Sequence, residues 1–311
     1  MQETSLPTEF IERLKEIYPG NFEAIRKTFE SPRPTTFRVN TLKTTGIALK
    51  ASLLEQGFEL KDAPIAGAFV LINRTQREFT ETAEYKNGLL YIQGLSSMIP
   101  PLVLEPKPNE TILDACSAPG SKTTQIAATM GNTGSIIAND MSRVRIYKLV
   151  ANLKTLGVTN VTTMLMRAQD LWKRFPDTFD KVLADVPCSL EGRFLTRSPK
   201  SFANWSPKKI KILAEHQCHI LRSASSCAKS GAVIIYSTCT ISPEENEGVV
   251  DWILKKDPSL VLQNVSLPEL NLQSGMTEWR GMKYSPEVTK CVRIVPSDLF
   301  EGFFLAKFVK R

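Results

Sequence analysis

Two cysteines stand where an apolar run gives way to a turn: Cys188 in "DVPCSLEG" and Cys239 in "YSTCT". A thiol is strongly nucleophilic and a few per cent ionised near neutrality, so a thiol at a strand end is a candidate for covalent catalysis. Asp185 precedes Cys188 by three positions and brings a carboxylate to the same turn. Neighbouring strand ends in a doubly wound sheet lie about 5 to 10 Å apart. Cys188 and Cys239, 51 positions apart, can therefore face one pocket. The remaining thiols, Cys116, Cys218, Cys227 and Cys291, occupy apolar or helical contexts, where cysteine is most often a buried structural residue. No CxxC pair occurs, which argues against a disulfide framework or zinc ribbon. His216 and His219 flank Cys218 and read as packing residues, and no metal is expected.

A second constellation lies upstream. "LDACSAPGSKTTQIAATM" runs from a strand ending at Asp114 through a Pro-Gly turn into a helix, which sets free backbone N–H groups beside a ligand. It holds one glycine in the turn and no GxGxxG, so a dinucleotide fingerprint is absent. A cofactor with a carboxylate and a ribose but no pyrophosphate fits better. Asp140 ends the next apolar run, 26 positions after Asp114, near the spacing at which an acid meets ribose hydroxyls. The same Asp140 also suits a helix N-cap before "MSRVRIYKL".

The elements that must carry these residues follow from periodicity. Leu6 to Phe29 reads as one or two helices broken at Gly20, Thr35 to Lys43 as a strand, Gly46 to Gln56 as a helix, and Ala68 to Ile72 as a strand. Beyond the Pro-rich stretch Pro100 to Pro108, the expected boundary, short apolar strands at 110–115, 134–140, 160–166, 180–186 and 231–237 alternate with helices. This alternation predicts an α/β domain, a parallel sheet with helices on both faces, over 106–311, preceded by a small α+β module over 1–105.

Composition bounds the partners. In 311 residues, 39 Lys and Arg against 32 Asp and Glu give a net charge of +7, which suits a polyanion such as nucleic acid. The opening "MQETSLPTEF" has neither a basic nor an apolar leader region, and no apolar run reaches the ~18 residues that cross a bilayer. A reduced, cytoplasmic, monomeric protein with no membrane partner is the expectation.

"LDACSAPGSKT", "DVPCSLEG", "YSTCTISPEENE" and "GFFLAKF", together with the upstream "FRVNTLK" and "YIQGLSSM", resemble the Nop/Sun family of RNA cytosine-5 methyltransferases, from about residue 32 to the C-terminus. The resemblance implies a Rossmann-like seven-strand sheet, a small RNA-binding module before it, and S-adenosyl-L-methionine as cofactor. It implies a cofactor set of Cys116, Ser117, Ala118, Pro119, Gly120, Ser121, Lys122, Asp140, Arg145 and Asp185. Where the family has an Asp after its third strand, this chain has Arg167, with Gln169 and Asp170 as neighbours. The resemblance further implies Cys239 as nucleophile, Cys188 as the thiol that assists product release, and Asp185 and Lys122 as catalytic partners at the base.

The chemistry needs these types. Carbon 5 of cytosine is a poor nucleophile until a thiolate adds at carbon 6. A carboxyl at N3 and the exocyclic amine can stabilise the charge that develops. "GRFLTRSPKSFANWSPKKIKIL" interleaves Arg193, Arg197, Lys200 and Lys208 with Trp205, the pattern of a single-stranded RNA surface. Arg33, Arg38 and Lys43 extend that basic surface in this reading. Transfer RNA is favoured as partner and ribosomal RNA is the alternative. A DNA enzyme using Cys188 as nucleophile, and a catalytically silent RNA-binding protein, are the rival readings.

Overall fold

The computed structural model describes residues 5–267 and 270–311. Near the N-terminus, α1 (Thr8–Ile17) and α2 (Phe22–Lys27) flank Gly20 as the spacing predicts. Phe10, Leu14 and Ile17 fall on one face of α1 and are buried against the larger domain, with the Phe10 ring 4.9 Å from that of Phe194.

A four-stranded antiparallel sheet follows, built from β1 (Thr36–Val39), β2 (Leu60–Asp62), β3 (Ala68–Leu71) and β4 (Leu90–Ile92) in the order β2-β3-β1-β4. It is covered by α3 (Gly46–Glu55), α4 (Gln76–Thr80) and α5 (Ala83–Lys86). Phe37, Leu49, Leu53, Phe69 and Phe79 form a core of its own. Thr45 caps α3 by accepting the Ala48 N–H, and Thr75 with Glu78 forms a capping box on α4, each satisfying N–H groups the helix start leaves open.

The large sheet contains β5 (Thr111–Asp114), β6 (Ser135–Asn139), β7 (Val161–Met164), β8 (Phe179–Asp185), β9 (Ala228–Thr238), β10 (Leu260–Gln263), β11 (Leu272–Ser274), β14 (Val292–Ile294) and β15 (Phe303–Lys310). A small hairpin of β12 (Glu278–Trp279) and β13 (Met282–Lys283) stands apart. Its helices are α6 (Leu95–Leu104), α7 (Ser121–Thr129), α8 (Arg143–Leu156), α9 (Pro207–Cys227) and α10 (Glu247–Lys256).

Seven strands, the number the resemblance implies, run in the order β7-β6-β5-β8-β9-β15-β14, and β11 and β10 extend the described sheet to nine. The sheet is mixed, which corrects the parallel expectation: β7 through β9 are parallel, but β15 runs antiparallel between β9 and β14. That final insertion carries Phe303 to the carboxyl edge beside Thr238, because Phe304 pairs with Thr238.

Within the Pro100 to Pro108 stretch expected as the boundary, Pro100 to Leu104 form the second half of α6. Eight of its ten residues are buried, and they pack against the large sheet and α7, so apolar burial outweighs the two prolines' missing N–H donors.

Candidate active site

The carboxyl ends of β5, β6, β8 and β9 bring Asp114, Asp140, Asp185 and Cys239 to one edge, where open α/β sheets bind ligands. A cleft of about 640 Å³ opens there, walled on its far side by Pro34, Tyr91, Gln93 and Ser97. Cys116, Ser117, Ala118, Pro119, Ser121, Lys122, Arg145, Asp185, Cys188, Arg193 and Cys239 all line it.

The two thiols meet. Cys188 Sγ and Cys239 Sγ are 3.4 Å apart and neither is in a disulfide, with Cys188 buried and Cys239 half-buried. The hydrogen bond with Cys239, and then burial, push the Cys188 thiol well above its ordinary value. The two loops are also tied through their backbones, Val186 N to Ser237 O at 3.1 Å and Gly192 N to Cys239 O at 3.0 Å.

Asp185 sits beside this pair on β8. Its Oδ1 accepts the Ser237 hydroxyl at 2.8 Å, and its Oδ2 pairs with Lys122 Nζ at 2.7 Å. Lys122 is buried, donates to Ser97 Oγ at 2.8 Å and lies 5.7 Å from the Phe303 ring centroid. It is thus held on the carboxylate rather than solvated at the helix start.

The upstream loop is built as a cradle. Ser117 donates to Asn139 O through both N and Oγ, at 2.8 and 2.9 Å. Gly120 begins α7 at φ +105° with no side-chain cap, so the first-turn N–H groups face the cleft uncapped. A Cβ at Gly120 would approach Leu149 Cδ1 to 2.6 Å, so any L side chain there is strained in φ and must displace Leu149. Asp140 is buried, accepts Ser142 N at 2.9 Å, and pairs with Arg145 at 3.0 Å. The cap of α8 is Ser142, not Asp140. Arg145 also donates to Ala118 O, which binds the cradle to α8.

Asp114 lies behind the cradle. Thr123 Oγ1 donates to its Oδ2 at 2.7 Å, whereas its buried Oδ1 has no hydrogen-bond partner. Burial pushes this carboxyl up to about 7, against the Thr123 hydrogen bond and with the Asp185 charge adding to the rise. A carboxylate-accepting helix start, an orphaned acid oxygen and two acids at adjacent strand ends fit an amino-acid-bearing adenosine cofactor.

Several expectations meet a different arrangement. Arg167 does not reach the cleft; it faces Asp170 at 3.5 Å and lines a separate cavity with Trp172, His216 and Arg222. Trp205 is no free stacking platform, since its Nε1 donates to Glu191 at 2.8 Å and its ring lies 5.9 Å from Phe10. Arg38 is buried, not part of a basic surface. It donates to Gln93 Oε1, Thr124 Oγ1 and Ser121 O at 2.9, 2.7 and 3.1 Å, joining the small sheet to the start of α7. Arg33 donates to Ser297 O and Phe300 O, and Lys43 to Asn87 O and Thr155 O. Arg193, Arg197, Lys200 and Lys208 are exposed, with Arg193 3.3 Å from Glu301. Gln93, Ser97, Glu301 and Phe303 are site residues that nothing in the local sequence places at this edge, whereas Ser237 sits two positions before Cys239 in the strand-end motif and its bond to Asp185 appears only in the fold.

Such a cradle on a Rossmann-like sheet, with paired thiols at the next strand ends, defines a cofactor-dependent group-transfer enzyme. The comparisons narrow the class. Residues 101–309 match the family described as 16S rRNA methyltransferase RsmB/F, and residues 6–95 match the N-terminal domain of 16S rRNA methyltransferase RsmF. The chain belongs to the RsmB/F family, whose members are S-adenosylmethionine-dependent RNA cytosine-C5 methyltransferases. It is 42% identical over 281 residues to a tRNA (cytosine(49)-C(5))-methyltransferase of Pyrococcus abyssi, covering 90% of this chain and 89% of that one. It is 33% identical to ribosomal RNA small subunit methyltransferase F of Escherichia coli O157:H7, covering 98% of this chain but only 63% of that enzyme. A crystal structure of a methyltransferase homolog from Pyrococcus horikoshii superposes with a TM-score of 0.86 at 32% identity, over 99% and 96% of the two chains.

Proposed function

We propose that this chain methylates carbon 5 of a cytosine in transfer RNA, with Cys239 as nucleophile. The observation that carries the reading is the pair of free thiols at 3.4 Å, in one cleft with the Lys122-bound Asp185. Cys239 Sγ is the more accessible sulfur, and the proton held on Cys188 can be donated towards it. Attack of Cys239 at carbon 6 makes carbon 5 nucleophilic. Asp185, fixed by Ser237 and Lys122, can accept the exocyclic N–H of the base and, once N3 of the adduct carries a proton, that N–H as well, which stabilises the adduct. Cys188 stands next to the adduct and assists release by hydrogen-bonding the departing Cys239 sulfur: carbon 5 gives its proton to solvent, the carbon 5–carbon 6 double bond re-forms, and the C6–S pair returns to Cys239 as thiolate.

Ser117, Ala118, Pro119, Ser121, Asp140 and Arg145 would hold S-adenosylmethionine, with Gly120 shaping the turn and Asp114 and Cys116 lining its floor. When bound there, the cofactor supplies an electrophilic methyl group. Arg193, Arg197, Lys200 and Lys208 would follow the RNA backbone beside the cleft, and the target cytosine must leave its stack to enter.

Transfer RNA is preferred over ribosomal RNA because the relative acting on tRNA is the one matched at 42%, while matched rRNA enzymes stand at 33 to 38%. Methyl transfer to purified tRNA and to small-subunit rRNA, followed by nucleoside analysis for 5-methylcytosine, tests the choice. Product in tRNA is expected; product in rRNA alone would reverse it.

A further inference from the structure

Behind the two thiols lies a row of four buried oxygens that the chemistry above does not use. Ser189, next to Cys188, bonds through Oγ to Glu245 Oε1, and Ser189 Oγ lies 2.7 Å from Thr240 Oγ1, next to Cys239. Thr240 Oγ1 in turn lies 2.8 Å from Glu191 Oε2. Glu191, Thr240 and Glu245 are at most 1% exposed and Ser189 is 8% exposed.

Three oxygen-to-oxygen links in series need three protons, and the two hydroxyls supply two. The third must come from a carboxyl group. We propose that Glu191 and Glu245 share one proton along this row, and that the shared proton locks the Cys188 and Cys239 loops at their working separation. Glu245 is then a positioning residue for both thiols, a role that rests on the proposed methyl-transfer reading.

The surroundings place the proton on Glu245. Arg13, which donates to Ser242 Oγ at 2.7 Å and pairs with Glu244, lies on the Glu191 side and favours an ionised Glu191. Glu191 Oε1 also takes Trp205 Nε1 at 2.8 Å and Ser242 Oγ at 3.3 Å. With Glu245 neutral, its O–H donates to Ser189, Ser189 donates to Thr240, and Thr240 donates to ionised Glu191. Glu245 Oε2 still accepts Ser189 N at 3.0 Å and Gln217 Nε2 at 2.8 Å, so every partner is satisfied. Burial first and the Glu191 charge second push Glu245 up to about 7, while burial also raises Glu191. The other titratable groups facing the row are Cys188, Tyr236, whose hydroxyl donates to Glu245 O at 2.6 Å, Tyr18, which feels the Glu191 charge, and Arg13 with Glu244.

The lock is closed below the folded pKa and opens as pH climbs through it, since two charged acids leave three links with two protons. Glu245→Gln imitates the neutral acid: its amide donates to Ser189 Oγ and accepts from Ser189 N and Gln217. The double variant Glu191→Gln/Glu245→Gln brings four protons to three links.

The test measures kcat and KM for RNA of wild type, Glu245→Gln, Glu245→Ala and the double variant across about pH 6 to 9. Below pH 7, Glu245→Gln is expected within about twofold of wild type, while Glu245→Ala loses about a hundredfold in kcat with KM little changed. The ratio of Glu245→Gln to wild type rises at higher pH, and dividing one profile by the other removes the thiol ionisation common to both. With Glu191→Gln measured alongside, the double variant falls about tenfold or more below the product of the two single effects, a non-additivity that a merely structural carboxylate would not produce. A ratio flat in pH, a Glu245→Gln as poor as Glu245→Ala, or a double variant equal to the product of the two single effects would each overturn the proposal. The pH ratio needs only the folded Glu245→Gln protein, and RNA trapping on Cys239 tests the parent reading separately.

Discussion

Replacing Gly120 by alanine isolates what the cradle demands of the backbone. At φ +105° an L side chain is strained by about 1 to 3 kcal/mol. The new Cβ would also stand 2.6 Å from Leu149 Cδ1, and Leu149 is wholly buried with Ala118, Ala138 and Leu153, so moving it costs about another 1 to 3 kcal/mol. Gly131, just past the other end of α7, is the control: its φ is +61° and a Cβ there meets nothing within 4 Å, so it incurs only the backbone cost, about 1 kcal/mol. Gly120→Ala should therefore destabilise by about 2 to 6 kcal/mol by urea titration, and Gly131→Ala by about 1. Calorimetry should show S-adenosylmethionine binding weakened at least tenfold for Gly120→Ala and unchanged for Gly131→Ala. Equal stability losses in the two variants, or an unaltered cofactor affinity in the first, would refute the reasoning.

Other outcomes follow from the same geometry. Asp114 is raised to about 7 in the fold, so the native state binds its proton more tightly than the unfolded chain, and this group's contribution declines as pH rises from the unfolded value towards 7. Asp114→Asn keeps the Thr123 contact and should flatten the fall in urea midpoint between about pH 4 and 7 relative to wild type; parallel curves would exclude the raised carboxyl. For the exposed cations, neutralising Arg197, Lys200 or Lys208 should each reduce the slope of log affinity for single-stranded RNA against log salt by about 0.7. Trp205→Ala should instead lower stability and leave that slope unchanged, because its ring packs on Phe10 and its Nε1 holds Glu191.

What the sequence disclosed divides along local and non-local lines. The five parallel strands and the helices between them announced themselves by period, and Cys188, Cys239, Asp185 and the 116–122 turn stood at strand ends by local pattern alone. The place of β15 between β9 and β14 is a pairing between distant segments, so no local pattern reveals that Phe303 and Glu301 join the cleft. Arg38 and Trp205 mislead for a related reason: charge and aromatic character suggest a surface, but their burial depends on Gln93, Thr124 and Glu191 arriving from other elements. The row from Glu191 to Glu245 likewise joins segments about fifty positions apart, so local pattern does not reveal it. Pro100 and Pro101 open the stretch expected as the boundary, and the apolar surroundings of α6 hold them in a helix.

The proposed division of labour, Cys239 bonding to the base and Cys188 assisting its release, is read most directly from covalent trapping. Wild type, Cys188→Ala and Cys239→Ala are incubated with substrate RNA and S-adenosylmethionine and run on a denaturing gel. A protein–RNA adduct that accumulates in Cys188→Ala and is absent from Cys239→Ala is the predicted result. An adduct in Cys239→Ala that is missing from Cys188→Ala would contradict the assignment.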